Sequence, residues 1–409
     1  MGFIVEHECP QCGAPVEMEE TNRLLHCPYC DVKNYLFARN HFRLVLPHKV
    51  SNKDIIWAPY MRFRGNVYLC RDVSINHRVV DITRLGAPFR ELPMSLGFRP
   101  QALKMRFVTP DLAGSFLSCS LSVDNVLDTV GKHISTLVSH DFFHRAYIGE
   151  ALSLIYLPMY VEGNKVFDAV TDRFIAHIPG GREALEPGIE DNPRWQLNFM
   201  ATICPNCGWS LEGEKDSVTL TCSNCNRVWE ASDGRFVEVD FKTVQGKGTD
   251  NVYLPFWRIK AKSDGGIPIN SYADFIRATN QPKAVQKSWE NQDMYFWSPA
   301  FKIRPRIFLN LSRLMTIAQK DFEMAEELPR ENLYPVTLPH TEAAQSIKTT
   351  LANSMMLKKI MFPLLPKVSF DIEKSTLVYL PFDDAGFEII QKDMRVSIQK
   401  KTLEFGRHL

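Results

Sequence analysis

Apolar and polar residues alternate along IIWAPYMRFRGNVYLC (55–70): Met61 and Phe63 are interleaved with Arg62 and Arg64, and Val67 and Leu69 resume the pattern after Gly65-Asn66. A period of two sends successive side chains to opposite faces, so the run predicts a hairpin turning at Gly65-Asn66. VEGNKVF (161–167) repeats the device with Gly163-Asn164, residue types that primed hairpin turns favour. Pro59, Pro158, Pro255 and Pro381 fall inside strand-like runs. Proline has no N–H to give to a ladder, so each predicts a local break in pairing. Two stretches carry helical spacing instead. Val126, Val130, Ile134, Leu137 and Val138 form one stripe in 123–148, and Ala344, Ile347, Leu351 and Met355 form another in 342–361.

These elements recur in order. IIWAPYMRFRG (55–65) aligns with NVYLPFWRIKA (251–261), MSLGFRP (94–100) with FWSPAFKIRP (296–305), and SLIYLPMYVEGNKVF (153–167) with TLVYLPFDDAGFEI (376–389). The chain therefore reads as two tandem copies, about 1–180 and 200–409, the second with an insertion in its middle. Gly, Pro and charge concentrate in PGGREALEPGIEDNPR (179–194), as an exposed connection would. The boundary is set near 195, with Trp195 and Phe199 given to the second copy. The expected domains are a ribbon at 1–40, a β-rich domain at 41–180, a linker at 181–197, a second ribbon at 198–235 and a second β-rich domain at 236–409.

Composition changes little. The 409 residues are 45% hydrophobic and 23% charged with net charge +1, which fits a soluble protein of two or more domains and gives no compositional case for nucleic-acid binding. The longest apolar runs, such as ALSLIYLPMYV, fall short of the roughly 20 residues of a membrane helix, and the N-terminus has neither a signal-peptide pattern nor a myristoylation motif. No membrane span and a cytoplasmic location are expected.

Cysteine spacing carries the chemistry. Cys9, Cys12, Cys27 and Cys30 form C-x2-C-x14-C-x2-C, and Cys204, Cys207, Cys222 and Cys225 repeat it with the same gap. Two residues between thiolates let one tight knuckle present both sulfurs to a metal, and two knuckles complete a tetrahedron. Gly13 and Gly208 follow the first pair of each set, while Asp31 and Asn226 follow the second. These residue types tolerate the positive φ that a knuckle needs. Zinc is the first reading, two ions in all; iron in a rubredoxin-like site and disulfides are the alternatives. The fold class is α+β: in each copy a rubredoxin-like zinc ribbon precedes a β-rich domain with one or two amphipathic helices. Cys70 and Cys119 are expected to be buried thiols.

The CPxCG ribbons and the recurring APYM, YLPM, YLPFW and YLPF segments resemble a poorly characterised group of bacterial tandem zinc-ribbon proteins, some labelled by likeness to the zinc ribbon of the primosomal helicase. The resemblance implies no agreed activity. The helicase label does not carry over, because the chain lacks a G-x4-G-K-[ST] loop.

No catalytic motif is present either: G-x-S-x-G, H-E-x-x-H and G-x-G-x-x-G are all missing. Asp383 and Asp384 are adjacent on a strand-like run, so they face apart and are expected to begin a turn. His133, His140 and His144 lie on one flank of the first helical stripe. With no counterparts in the second copy, they read as histidines bordering a buried face rather than a relay. The expected function is a non-catalytic structural or adaptor subunit acting through protein partners. A single-strand nucleic-acid binder is the alternative, resting on Arg62, Arg64, Arg258 and Lys260 beside aromatics, and an electron carrier comes third. Tyr60, Phe256 and Trp257 are expected in the core.

Overall fold

Long strands dominate the computed structural model, which is mixed α/β with 41% strand and 19% helix. It describes residues 3–38, 40–123, 125–128, 142–190, 195–248 and 250–407. The chain divides into two units: Met1–Arg64, Val80–Leu137 and Glu150–Ala201 form the first, and Gly65–Val79, Val138–Gly149 and Thr202–Leu409 the second.

In unit 1, β1 (Ile4–Glu8) and β2 (Pro15–Glu19) form one hairpin, and β3 (Leu24–His26) and β4 (Lys33–Phe37) another. There follow β5 (Phe42–Val45), β6 (Ile56–Arg71), β7 (Ser74–Leu85), β8 (Met105–Phe107), β9 (Ser115–Leu117) and β10 (His144–Glu162), of which residues 65–71 of β6, 74–79 of β7 and 144–149 of β10 are counted in unit 2. The chain then runs through β11 (Lys165–Asp168), β12 (Arg173–His177), β13 (Ile189–Glu190) and β14 (Asn198–Ala201). The large sheet has the order β13-β9-β6-β10-β5-β8-β1-β2, with β7 on β6 and the β11-β12 hairpin on β10; β14-β4-β3 is a separate sheet.

The turn expected at Gly163-Asn164 is present: Glu162 pairs with Lys165, and Gly163 has φ 56. The one expected at Gly65-Asn66 is not. β6 runs straight through both residues and turns at Asp72-Val73, where Asp72 takes φ 49. Period alone misled, because β6 is buried on both faces from Ile56 to Cys70 and Arg62 and Arg64 are buried with it. Arg62 Nη1 bonds the Glu20 carboxylate, its Nε and Nη2 each donate at 2.7 Å to Asp81, and its guanidinium carbon lies 3.6 Å from the centroid of the Phe3 ring. Arg64 Nη1 is 3.7 Å from the same Glu20 oxygen. A charge can be buried this way only when its hydrogen-bonding capacity is filled.

The connection expected at 181–197 is structured in part: Gly181–Leu185 is helical and β13 pairs with β9. Trp195 stacks on Phe107 with centroids 6.3 Å apart, Phe199 stacks on His7 at 5.2 Å, and β14 pairs with β4. Both aromatics therefore belong to unit 1, correcting their assignment to the second copy.

In unit 2, β15 (Thr219–Cys222), β16 (Arg227–Ser232) and β17 (Arg235–Val239) form one sheet. A second contains β18 (Phe241–Val244), β19 (Asn251–Asp264), β20 (Tyr295–Pro299), β21 (Met324–Ala325), β22 (Ser369–Asp384), β23 (Glu388–Gln391) and β24 (Val396–Gln399). Its order is β20-β19-β22-β18-β21, with the β23-β24 hairpin on β22. Helices Tyr272–Thr279 and Pro305–Ala318 pack against it; the first begins with a Ser271–Asp274 capping box and the second with proline at its first position. Asp383 and Asp384 close β22 before a turn at Gly386, φ 82.

Pairing recurs in the two units. β5 runs parallel to β10 at Ser153–Tyr156, and β18 parallel to β22 at Leu377–Tyr379. Trp57, two residues before Pro59, bridges Phe116 in parallel; Tyr253, two before Pro255, bridges Leu333 in parallel. Gly86 N donates to Pro59 O at 2.7 Å, and Ala300 N to Pro255 O at 3.0 Å. Each terminal hairpin has a four-residue loop whose last residue is left-handed, Asp172 at φ 55 and Arg395 at φ 53.

The prolines fit this scheme. Pro158 falls where β10 passes from β5 to β11, and Pro381 where β22 passes from β18 to β23. Pro255 faces β20 where that strand ends. The missing N–H is thus directed where a neighbour stops, while the β19–β22 ladder continues past Pro255 and Pro381.

The expected helix at 342–361 divides into His340–Gln345, Ile347–Ser354 and Lys358–Met361, with Ile347, Leu351 and Met355 buried as its stripe requires. The helix expected at 123–148 lies largely outside the described residues, including His133 and His140, but its end is strand: His144 opens β10. Burial, then the charge of Lys348, lowers the His144 pKa to about 3, and Nε2 faces Thr349 Oγ1 at 3.3 Å. The unfolded chain takes up this proton near pH 6.5 and the folded chain only near pH 3. Stability is therefore full above pH 6.5 and falls by up to about 1.4 kcal/mol per unit as pH drops toward 3. Urea midpoints measured from pH 7 to pH 4 should show a shallower slope for His144→Gln; equal slopes would contradict this.

Candidate metal centres

Each cysteine tetrad is built from two hairpin tips. Cys9 and Cys12 lie between β1 and β2, and Cys27 and Cys30 between β3 and β4. Cys204 and Cys207 lie inside the Ile203–Ser210 bridge, and Cys222 and Cys225 at the β15–β16 turn. The backbone closes each first knuckle in the same way: Gly13 N donates to Cys9 O and Gly208 N to Cys204 O, both at 2.9 Å. The residues after the second cysteines all take positive φ: Gly13 at 72, Asp31 at 59, Gly208 at 74 and Asn226 at 51. The local sequence required this at all four positions.

Within each tetrad the four sulfurs lie within 4.8 Å of one another. Cys9–Cys30 and Cys12–Cys27 are both 3.7 Å apart, Cys204–Cys225 is 3.6 Å and Cys207–Cys222 is 3.5 Å. Zinc–sulfur bonds of about 2.3 Å put the edges of a tetrahedron near 3.8 Å. All ten cysteines are unbridged, which sets aside the disulfide alternative. Both tetrads could thus hold one metal ion each, and the tetrathiolate donor set suits zinc or iron. Burial repeats as well: Cys9, Cys27, Cys204 and Cys222 are buried, while Cys12 and Cys207 are exposed.

The sulfurs are tuned by donors. The N–H of Cys12, then that of Gln11, draws Cys9 down to about 6 against the cost of burial. In the second tetrad the Asn224 side chain, then the Trp209 N–H, draws Cys207 to about 6, while desolvation holds Cys225 up at about 12 although the Asn206 side chain reaches it. Each asparagine therefore serves a sulfur of the opposite knuckle. Sequence reasoning missed this; the signal was the C-x-N-C form of both knuckles in this tetrad alone.

The other candidates are placed elsewhere. Tyr60, Phe256 and Trp257 are buried as expected, and Trp257 Nε1 donates to Leu338 O at 2.9 Å. The basic residues proposed for single-strand binding are engaged internally. Arg62 and Arg64 belong to the Glu20 cluster, Arg258 lies 3.3 Å from the Tyr295 ring centroid, and Lys260 pairs with Asp293 and Glu373. These four side chains do not form an exposed stacking platform. Cys70 is buried, its thiol raised to about 12 by desolvation, whereas Cys119 is exposed, correcting its expected burial. Gly86 lies close beside it, since a Cβ added there would fall 2.6 Å from the Cys119 sulfur.

Comparison with known proteins finds no matching family model, no matching curated protein and no matching solved structure. Among the described residues no helix is long and apolar enough to cross a membrane.

Proposed function

We propose that the chain is a non-catalytic protein of the tandem zinc-ribbon kind, stabilised by two zinc ions and acting by contact with other proteins in a cytoplasmic assembly. The observation that carries this reading is an exposed aromatic at each tetrad. Tyr29, between Cys27 and Cys30, is 69% exposed, and Trp209, next to Gly208, is 56% exposed. Exposed aromatics on a rigid mount are favoured anchors for protein partners. Four thiolates leave zinc no open position for substrate.

Charge favours protein over nucleic acid. Residues 7–31 hold five acidic side chains and one basic, and residues 202–226 three and one. A zinc tetrathiolate adds a further −2 at each site, so both tips repel phosphate. The recurring pairing supports a duplication of the whole ribbon-plus-sheet unit, which gives one chain two diverged contact surfaces and allows avidity.

The test is photocrosslinking from Tyr29 and from Trp209, each replaced by a photoreactive phenylalanine in the native cell, beside an anisotropy titration with single-stranded oligonucleotides at physiological salt. Discrete protein adducts from both positions are expected. Tight, salt-sensitive oligonucleotide binding without adducts would overturn the reading in favour of single-strand recognition.

A further inference from the structure

Residues 343–370 of unit 2 contain no Asp or Glu but four lysines, Lys348, Lys358, Lys359 and Lys367. Within this stretch the short helix Lys358–Met361 and the two residues before it carry apolar side chains outward: Met356 is 61% exposed, Leu357 49% and Ile360 65%. Its mount is firm. Met355, Phe362, Leu365 and Val368 are buried on either side, Met356 N donates to Thr279 O at 3.0 Å, and Phe362 meets Phe143 with ring centroids 6.5 Å apart. Among the described residues no carboxylate lies within ion-pair distance of Lys358, Lys359 or Lys367.

We infer that this projection is a docking site for an anionic lipid bilayer, with Met356, Leu357 and Ile360 entering the interface and the lysines resting on headgroup phosphates. Three projecting apolar side chains are far fewer than the 20–30 residues a side of a standard protein interface. They are enough for shallow, reversible insertion, since a bilayer moulds itself to a convex tip and needs no matching groove. The unpaired lysines supply complementarity to an acidic leaflet. This site is distinct from the tetrads and does not depend on the role proposed for them.

The full-length, metal-loaded protein should be centrifuged with phosphatidylcholine vesicles containing or lacking 25% phosphatidylglycerol, at low and at high salt. Partition into the anionic vesicles alone, weakened by salt, is expected. Lys358→Gln/Lys359→Gln should lower the partition coefficient about thirtyfold at low salt, and Met356→Ser/Ile360→Ser should lower it about tenfold or more. Met356, Lys359 and Ile360 are exposed and Lys358 is half-buried, and metal content and melting temperature should match the parent. Equal partition into both vesicle types, none into either, or unchanged partition of both variants would overturn the proposal. So would crosslinking of position 360 to a protein in cells with no vesicle binding.

Discussion

Removing metal from the chain unfolds both pairs of cysteine hairpins, and this is the largest single effect we expect. A structural zinc site contributes on the order of 10–16 kcal/mol of apparent binding energy at neutral pH, comparable with the whole net stability of a domain, about 5–15 kcal/mol. Without metal, four thiols held within 4.8 Å have only weak S–H contacts in its place. Native mass spectrometry should find two zinc ions per chain. Chelation should remove both and abolish amide protection in β1–β4 and β15–β16. Cys27→Ser should lose one ion and leave protection at β15–β16 intact. A single ion, an iron spectrum, or protection that survives chelation would each refute the assignment.

Glu20→Ala is expected to cost unit 1 about 3–5 kcal/mol, the usual penalty for leaving a buried charge without its partner. Glu20 lies between the two knuckles of the first tetrad and is 7% exposed, while Arg62, its partner on β6, is 1% exposed. Asp81 would still hold one edge of the Arg62 guanidinium, but Nη1 and the nearby Arg64 would lose their shared carboxylate. Replacing both residues, as Glu20→Leu/Arg62→Met, should recover most of the loss, because a buried pair exchanged for apolar groups is often close to neutral. Urea unfolding followed by amide exchange on β6 reads the difference. A loss below about 1 kcal/mol would place the contact with ordinary surface ion pairs.

The sequence by itself determined what depends on neighbours a few residues apart. The C-x2-C pairs, each with its Gly, Asp or Asn, specify four knuckles, because a knuckle needs only two sulfurs and one positive φ. The Gly163-Asn164 turn and the burial of Ile347, Leu351 and Met355 were legible for the same reason. Gly65-Asn66 carried the same turn signal and became mid-strand, because burial of both faces of β6 outweighs a local preference. The alternating arginines carry no local sign of burial, yet Glu20, 42 residues from Arg62, and Asp81 meet them inside. Trp195 and Phe199 follow a Gly/Pro-rich stretch, yet the Phe107 and His7 rings hold them in unit 1. Only the tertiary structure decides these cases. Whether a charge or an aromatic is inside depends on partners brought together by strand pairing, and no local pattern encodes them.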